Sequence, residues 1–156
     1  MGKSMARHLM EKGHTLMVYN RTATKADDLV KAGAHFRPPH EIAKQADCVF
    51  LMLGYPHDVR QMVLDQTEGI LKHMRPGSTL VDHTTSSPGL AEQISQAATS
   101  FGVYSVDAPV SGGDIGARNG KLVTMVGGSS EAVGSVKPLM EAYSVEVKHM
   151  GDAGAG

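Results

Sequence analysis

Short apolar runs suited to buried strands alternate along this chain with stretches patterned for helices, and this alternation constrains the fold most. Met5 and Leu9, flanked by Ala6 and Met10, make an i, i+4 stripe that ends near Gly13. TLMVYN (15–20) then reads as a buried strand, and residues 22–32 as a short polar helix ending at Gly33. DCVFLML (47–53) is the most apolar run, with the length of a strand buried on both faces. STLVD (78–82) is another strand. SSPGLAEQISQAATSF (86–101) opens on Ser with Pro at the first helical position, carries apolar Ile94, Ala98 and Phe101, and stops at Gly102. VYSVD (103–107), LVTMV (122–126) and SVEVKH (144–149) complete the strands, with a Ser-started helix near 130–142 that Pro138 is expected to kink or split. Alternation of this kind predicts an α/β fold: right-handed crossovers, a mostly parallel sheet, helices on both faces. No repeat or linker divides residues 1–156, which are read as one domain.

Composition narrows the function. Fifteen basic and sixteen acidic residues leave a net charge of -1, which argues against a nucleic-acid-binding surface. No run approaches the ~18 apolar residues of a membrane span. The single cysteine, Cys48, has no internal partner and fits a reducing compartment. That compartment is expected to be the cytoplasm, with the mitochondrion as the alternative. The eight histidines show no metal-ligand spacing, so no metal site is expected. His83 is read as a surface residue and Cys48 as inert strand packing.

Gly2 stands before an amphipathic helix, a Gly turn and a strand, with no strand in front of it. In a Rossmann-type dinucleotide-binding fold, the first strand runs into a G-x-G-x-x-G turn, whose last glycine lets the helix pack closely on the sheet. Gly2 is placed like that last glycine. The stretch MGKSMARHLMEKGHTLMVYNRT resembles the start of the 3-hydroxyacid dehydrogenase family, which is related to 6-phosphogluconate dehydrogenase. Three further stretches carry the resemblance in order: DCVFLML with Gly54 and Pro56; VDHTTSSP (81–88), like the family's D-x-[ST]-T-x-x-P turn; and DAPVSGGDIGARNGKLVTMVGG (107–128), like its substrate-side signature. The resemblance implies a Rossmann-type doubly wound sheet whose first strand is missing from this chain. It also implies that the family's catalytic lysine and its all-helical, dimer-forming domain fall beyond Gly156. The chain is thus expected to be the cofactor domain of a larger, homo-oligomeric enzyme, trimmed at both ends.

The resemblance also distributes roles. Gly2 belongs to the phosphate turn. Met52, Leu53, Gly54 and Pro56 form the adenosine-side loop, and Thr85 lies against the nicotinamide side. A helix cap is the other reading of Thr85, although Ser86 or Ser87 is better placed to cap. The acid that would accept from an NAD ribose is expected ~20 residues past the glycine turn. Asn20, Arg21 and Thr22 stand there instead. With no carboxylate to repel a 2′-phosphate, and a planar charged fork at Arg21, NADP is the expected cofactor and NAD the second choice. Ser111, Gly112 and Gly113 are expected to hold a small substrate's carboxylate through a hydroxyl and unobstructed backbone N–H groups. Asp107 and Asp114, flanking that loop, are expected to order it as hydrogen-bond acceptors. The implied activity is hydride exchange between NADP(H) and a small 3-hydroxy acid or semialdehyde, with the lysine beyond Gly156 as acid/base. The alternative is a cofactor-binding regulatory or scaffold domain without chemistry.

In the usual strand order, the first strand lies between TLMVYN and DCVFLML. Without it both neighbours carry unpaired buried groups, each costing about 1–3 kcal/mol against a net stability of ~5–15 kcal/mol. The 156-residue chain alone is therefore expected to be unstable, to bind NADP(H) weakly and to show no turnover. A strand ending in Gly-x-Gly added before Met1 should restore cooperative melting and cofactor binding. A sharp melt with micromolar NADPH affinity for the bare chain would overturn this expectation.

Overall fold

A computed structural model of the chain describes residues 1–156. Helix α1 (Gly2–Glu11) buries Met5 and Leu9, as their spacing predicts. Strand β1 (Met17–Val18) comes next, then a 3-10 turn at Ala23–Ala26, α2 (Asp27–Lys31), β2 (His35–Phe36) and α3 (Pro39–Gln45). After these come β3 (Cys48–Leu51), α4 (Pro56–Leu64), a 3-10 turn at Leu71–His73 and β4 (Thr79–Asp82). The remainder is α5 (Pro88–Ser100), β5 (Tyr104–Asp107), β6 (Val110–Ser111), α6 (Gly113–Asn119), β7 (Leu122–Gly127), α7 (Ser130–Met140) and β8 (Ser144–Gly151).

The strands form two sheets. β1 pairs only with β2, in parallel. The larger sheet runs β3-β4-β5-β7-β6, with β8 also against β7. Its β3–β4, β4–β5 and β7–β8 pairs are parallel, whereas β7 runs antiparallel to β5 and β6. The division falls between β1 and β3, where the strand order places its gap.

Alternation of side chains along the strands feeds one core on each face. On one side, Val81, Val106, Leu122 and Val126 meet Met5 and Leu9 of α1, Ala117 of α6, and Val133, Val136 and Met140 of α7. On the other, Val49, Leu51 and Leu80 meet Ala43 of α3, Val59 and Val63 of α4, and Leu90, Ile94 and Ala98 of α5. A sheet covered on both faces by helices is the doubly wound arrangement that the alternation predicts. No helix is long and apolar enough to cross a membrane.

Several expectations need correction. Only Met17 and Val18 of TLMVYN are in a strand, and both are half-buried, because β1 has a ladder on one side alone. The run 47–53 is not equally buried on both faces. Val49 and Leu51 are buried, whereas Cys48 and Phe50 are half-buried against the opposite core. Phe101 is 43% exposed, and Leu90 takes the third core position of α5 instead. Pro138 does not split α7: it removes only the single N–H that would donate to the Gly134 carbonyl, and the helix continues to Met140. The short helices α3, α4 and α6 and the strands β2 and β6 have no clear sequence period. α4 is set by its start: Pro56 at the first turn, and Asp58 accepting from the Tyr55 N–H at 3.1 Å.

The two cores make a direct stability prediction. In the full-length protein, Ile94→Ala should lower stability by about 2–5 kcal/mol through the cavity it leaves. Phe101→Ala should cost a small fraction of that. Denaturant midpoints measure both, and equal losses would contradict this description of α5.

Candidate cofactor and substrate site

The site is built where strands stop pairing, and the end of β4 controls this. In a parallel ladder, backbone N–H and C=O groups alternate between the two neighbours at even spacing. Ala108 N donates to Asp82 O at 2.8 Å, so the next rung would run from Thr84 N to Ala108 O. Thr84 N turns instead to Asp82 Oδ1, at 2.9 Å. On the other side, His83 N donates to Leu51 O at 2.8 Å, so the next rung would run from Leu53 N to His83 O. Leu53 N goes instead to Thr84 Oγ1, also at 2.9 Å. Side chains of Asp82 and Thr84 thus end both ladders without orphaning an N–H, and the backbone after Thr84 is released toward the sheet's carboxyl edge.

His83 completes this ending. Its ring is buried, with Nδ1 2.6 Å from Ala108 O and Nε2 2.6 Å from the Tyr143 hydroxyl. A carbonyl only accepts, so Nδ1–H is the donor there and Nε2 accepts from the Tyr143 O–H. Phe50 stacks on the ring at 5.9 Å between centroids, and Tyr143 meets it edge-on at 5.5 Å. Burial lowers the His83 pKa to about 4, so the imidazole is neutral near pH 7. The expected surface histidine is therefore a core residue, because the ladder's missing donor is supplied by its ring. A polar residue at the inward register of an otherwise buried strand was the available signal.

The residues expected at the nucleotide converge along this edge. Gly2 packs on the loop after β3; a Cβ there would stand 3.3 Å from the Met52 Cβ. No side chain caps the first N–H groups of α1. Arg21, at the end of β1, reaches Asp58 Oδ1 at 3.5 Å, which brings Asn20, Arg21 and Thr22 to the start of α4. Gly54 lies in this neighbourhood, whereas Pro56 is the first residue of α4, not part of a loop. Thr85 is exposed, and Ser87, not Thr85, caps α5 by accepting from Leu90 N. Ser86 Oγ is buried without a hydrogen-bond partner. An orphaned hydroxyl, uncapped helix N–H groups and an arginine 82% exposed are the features a dinucleotide would satisfy.

The Ser111–Gly113 turn lies beyond β5. Ser111 ends β6 and is exposed, and Gly112 and Gly113, with φ of +129° and +62°, are the N-cap and first residue of α6. Those positive angles favour glycine, and a Cβ on Gly113 would meet nothing within 4 Å.

The flanking aspartates do not order this turn. Asp107 accepts from Gly154 N and Gly156 N, both at 2.9 Å, and so fastens residues 151–156 across the ends of β5 and β7. Gly127 permits that approach, since a Cβ there would lie 2.6 Å from Asp107 Oδ2 and 2.7 Å from Gly156 N. Asp114 is exposed on α6 and meets only the Met1 amino group. Cys48 behaves as inert packing, its thiol pushed up to about 12 by burial.

Comparison with known proteins agrees with this geometry. The chain is 46% identical to the probable 3-hydroxyisobutyrate dehydrogenase-like 1, mitochondrial, of Arabidopsis thaliana, over all of this chain and 47% of that protein. The chain spans about half the length of the curated relatives it matches. Among solved structures, the Mycobacterium tuberculosis 3-hydroxyisobutyrate dehydrogenase with L-serine superposes with a TM-score of 0.93 at 33% identity. That match covers all of this chain and 53% of the other. Psf3 in complex with NADP+ and 2-OPP gives 0.93 at 31% identity, over 99% of this chain and 55% of that one. The family model for the NAD binding domain of 6-phosphogluconate dehydrogenase matches residues 1–151. With residues 1–151 matched, this chain belongs to the family of the NAD-binding domain of 6-phosphogluconate dehydrogenase.

Proposed function

We propose that this chain is the cofactor domain of an oxidoreductase exchanging a hydride between NADP(H) and a small 3-hydroxy acid or semialdehyde. One observation carries the reading: the ends of β3, β4 and β5 are tied into a single ledge. Leu53 N–Thr84 Oγ1 links β3 to β4, and the His83 ring links β4 to β5. The ledge sets the exposed Thr85 and the Ser111–Gly113 turn on one edge of the sheet.

In this reading, Gly2 and the open N–H groups of α1 take the pyrophosphate, and Met52, Leu53 and Gly54 flank the adenosine. Thr85 lies along the nicotinamide, with the Ser86 hydroxyl beside it. When bound, the nicotinamide supplies or accepts the hydride. Ser111 and the N–H groups of Gly112 and Gly113 hold the substrate carboxylate, which fixes the reacting carbon relative to Thr85. The proton on the substrate oxygen belongs to the lysine that the family resemblance puts after this domain. Names of the relatives include 3-hydroxyisobutyrate dehydrogenases, which supports this substrate class. The lone cysteine supports a reducing compartment, cytoplasmic or, as in several relatives' names, mitochondrial.

The preference for NADP rests on Arg21. Its pair with Asp58 is long and solvent-exposed, so it is worth at most about 1 kcal/mol and yields readily to a phosphate. Charge-assisted bonds to a 2′-phosphate are worth roughly 1.5–3 kcal/mol, or about one to two decades in affinity. In the full-length protein, Arg21→Ala should remove most of a preference for NADPH and leave NADH binding nearly unchanged, as read by titration calorimetry. Equal losses for both cofactors would make Arg21 structural.

The carboxylate turn has its own test. Ser111→Ala should raise KM for 3-hydroxyisobutyrate far more than it changes cofactor affinity, because its hydroxyl touches substrate and not nucleotide. An unchanged KM, or collapse of cofactor binding, would move the substrate site elsewhere.

A further inference from the structure

We infer that His83 is a positioning residue, whose Nδ1–H holds the backbone of the substrate-side turn at a set distance from the cofactor-side turn. The inference rests on the reading of Ser111–Gly113 as the carboxylate turn, but the structural link does not. The β4–β5 ladder loses a donor when Thr84 N turns back to Asp82 Oδ1, which leaves Ala108 O facing the gap. The imidazole fills that role from the side, with its Nδ1 2.6 Å from Ala108 O. The two strands can therefore part at Thr84 while Ala108 stays fastened, by its own N–H to Asp82 O and by its carbonyl to the ring.

The stiffness of the chain beyond Ala108 makes the fastening matter. Pro109 has no N–H and a fixed φ, and its carbonyl accepts from Met125 N at 3.0 Å. From there two residues, Val110 and Ser111, lead into the turn. The turn is thus held from two sides, by Pro109 and β6 on β7 and by Ala108 on the His83 ring. The ring itself cannot swing, since Phe50 lies on its face and the Tyr143 hydroxyl occupies Nε2. Tyr143 is fixed in turn, its N–H on Met140 O and its carbonyl accepting from Leu122 N. The Ala108 carbonyl, which can only accept, keeps this relay in one tautomer with the hydrogen on Nδ1, while burial keeps the ring neutral and the phenol protonated. His83 touches neither cofactor nor substrate in this arrangement. It acts through the Ala108 carbonyl.

The two ring nitrogens can be tested separately in the full-length protein. His83→Asn retains a donor near Nδ1, His83→Gln retains an acceptor near Nε2, and His83→Phe keeps a ring with neither. Two measurements are made on each: amide hydrogen exchange of residues 110–113, and steady-state kinetics with 3-hydroxyisobutyrate and L-serine alongside the NADPH Kd. Relative to wild type, H83Q and H83F should speed exchange in 110–113 and lower kcat/KM about tenfold at a nearly constant NADPH Kd, while H83N stays within about threefold. Tyr143→Phe, which spares the Nδ1 bond, should behave like H83N. Equal losses in H83N and H83Q, or unchanged exchange in both, would overturn the inference, and this pair decides it should H83F fail to fold. A wild-type protein that turns over neither acid would count against the proposed reaction alone, because the exchange comparison still decides the role of His83.

Discussion

Everything at the candidate site depends on how β4 stops. A strand in the middle of a parallel sheet has partners on both sides, and ending it abruptly would strand buried N–H and C=O groups on each neighbour. Three consecutive residues solve this with their side chains. Asp82 takes the N–H of Thr84, Thr84 takes the N–H of Leu53, and His83 supplies the carbonyl of Ala108 with a donor. Opening the sheet here leaves no N–H of Leu53 or Thr84 without a partner. Burial raises the Asp82 pKa while the Thr84 bonds oppose that rise, as befits a carboxylate working inside the structure.

The two cores make that opening rigid. Leu80 and Val81, both fully buried, point into opposite cores, so β4 is clamped from both faces just before it ends. Tyr143 joins the core on the α7 side to the same place, since its ring packs among Val126, Met140 and their neighbours while its hydroxyl reaches His83. A displacement of the last turn of α7 would therefore be felt at the His83 ring. The opposite margin is looser. β1 has a single two-residue partner, and Arg21 at its end is held by one long surface pair. Hydrogen bonding in this chain is therefore densest at Thr84 and Ala108 and sparsest beside Arg21.

Much of the fold was legible because it rests on local physics. The helices that begin on Ser87 and Ser129 carry real caps, with each hydroxyl accepting from the N–H three residues on. The stripe of Met5 and Leu9, the run at 79–82, and Val106 within 104–107 are buried where their periodicity puts them. Short elements were not legible: α3 and α6 have seven residues each, too few for a 3.6-residue period to show, and α6 contains two glycines. The antiparallel course of β7 was also hidden, since strand patterning carries no direction. Phe101 was misjudged because one turn of helix separates a core position from a half-exposed one.

The sequence by itself determined the fold class, the order of its elements and the family resemblance, since alternating apolar periods, caps and glycine turns are written in neighbouring residues. It also put Arg21 at a strand end and Ser111 before two glycines. What only the tertiary structure decided is which polar groups face one another. His83 reads as a surface histidine until Ala108 and Tyr143, 25 and 60 residues away, close on its two nitrogens. Asp107 reads as part of the Ser-Gly-Gly loop until Gly154 and Gly156 return to it. Both assignments turn on hydrogen bonds between distant segments, whose partners are chosen by the packing of the sheet and not by any local pattern.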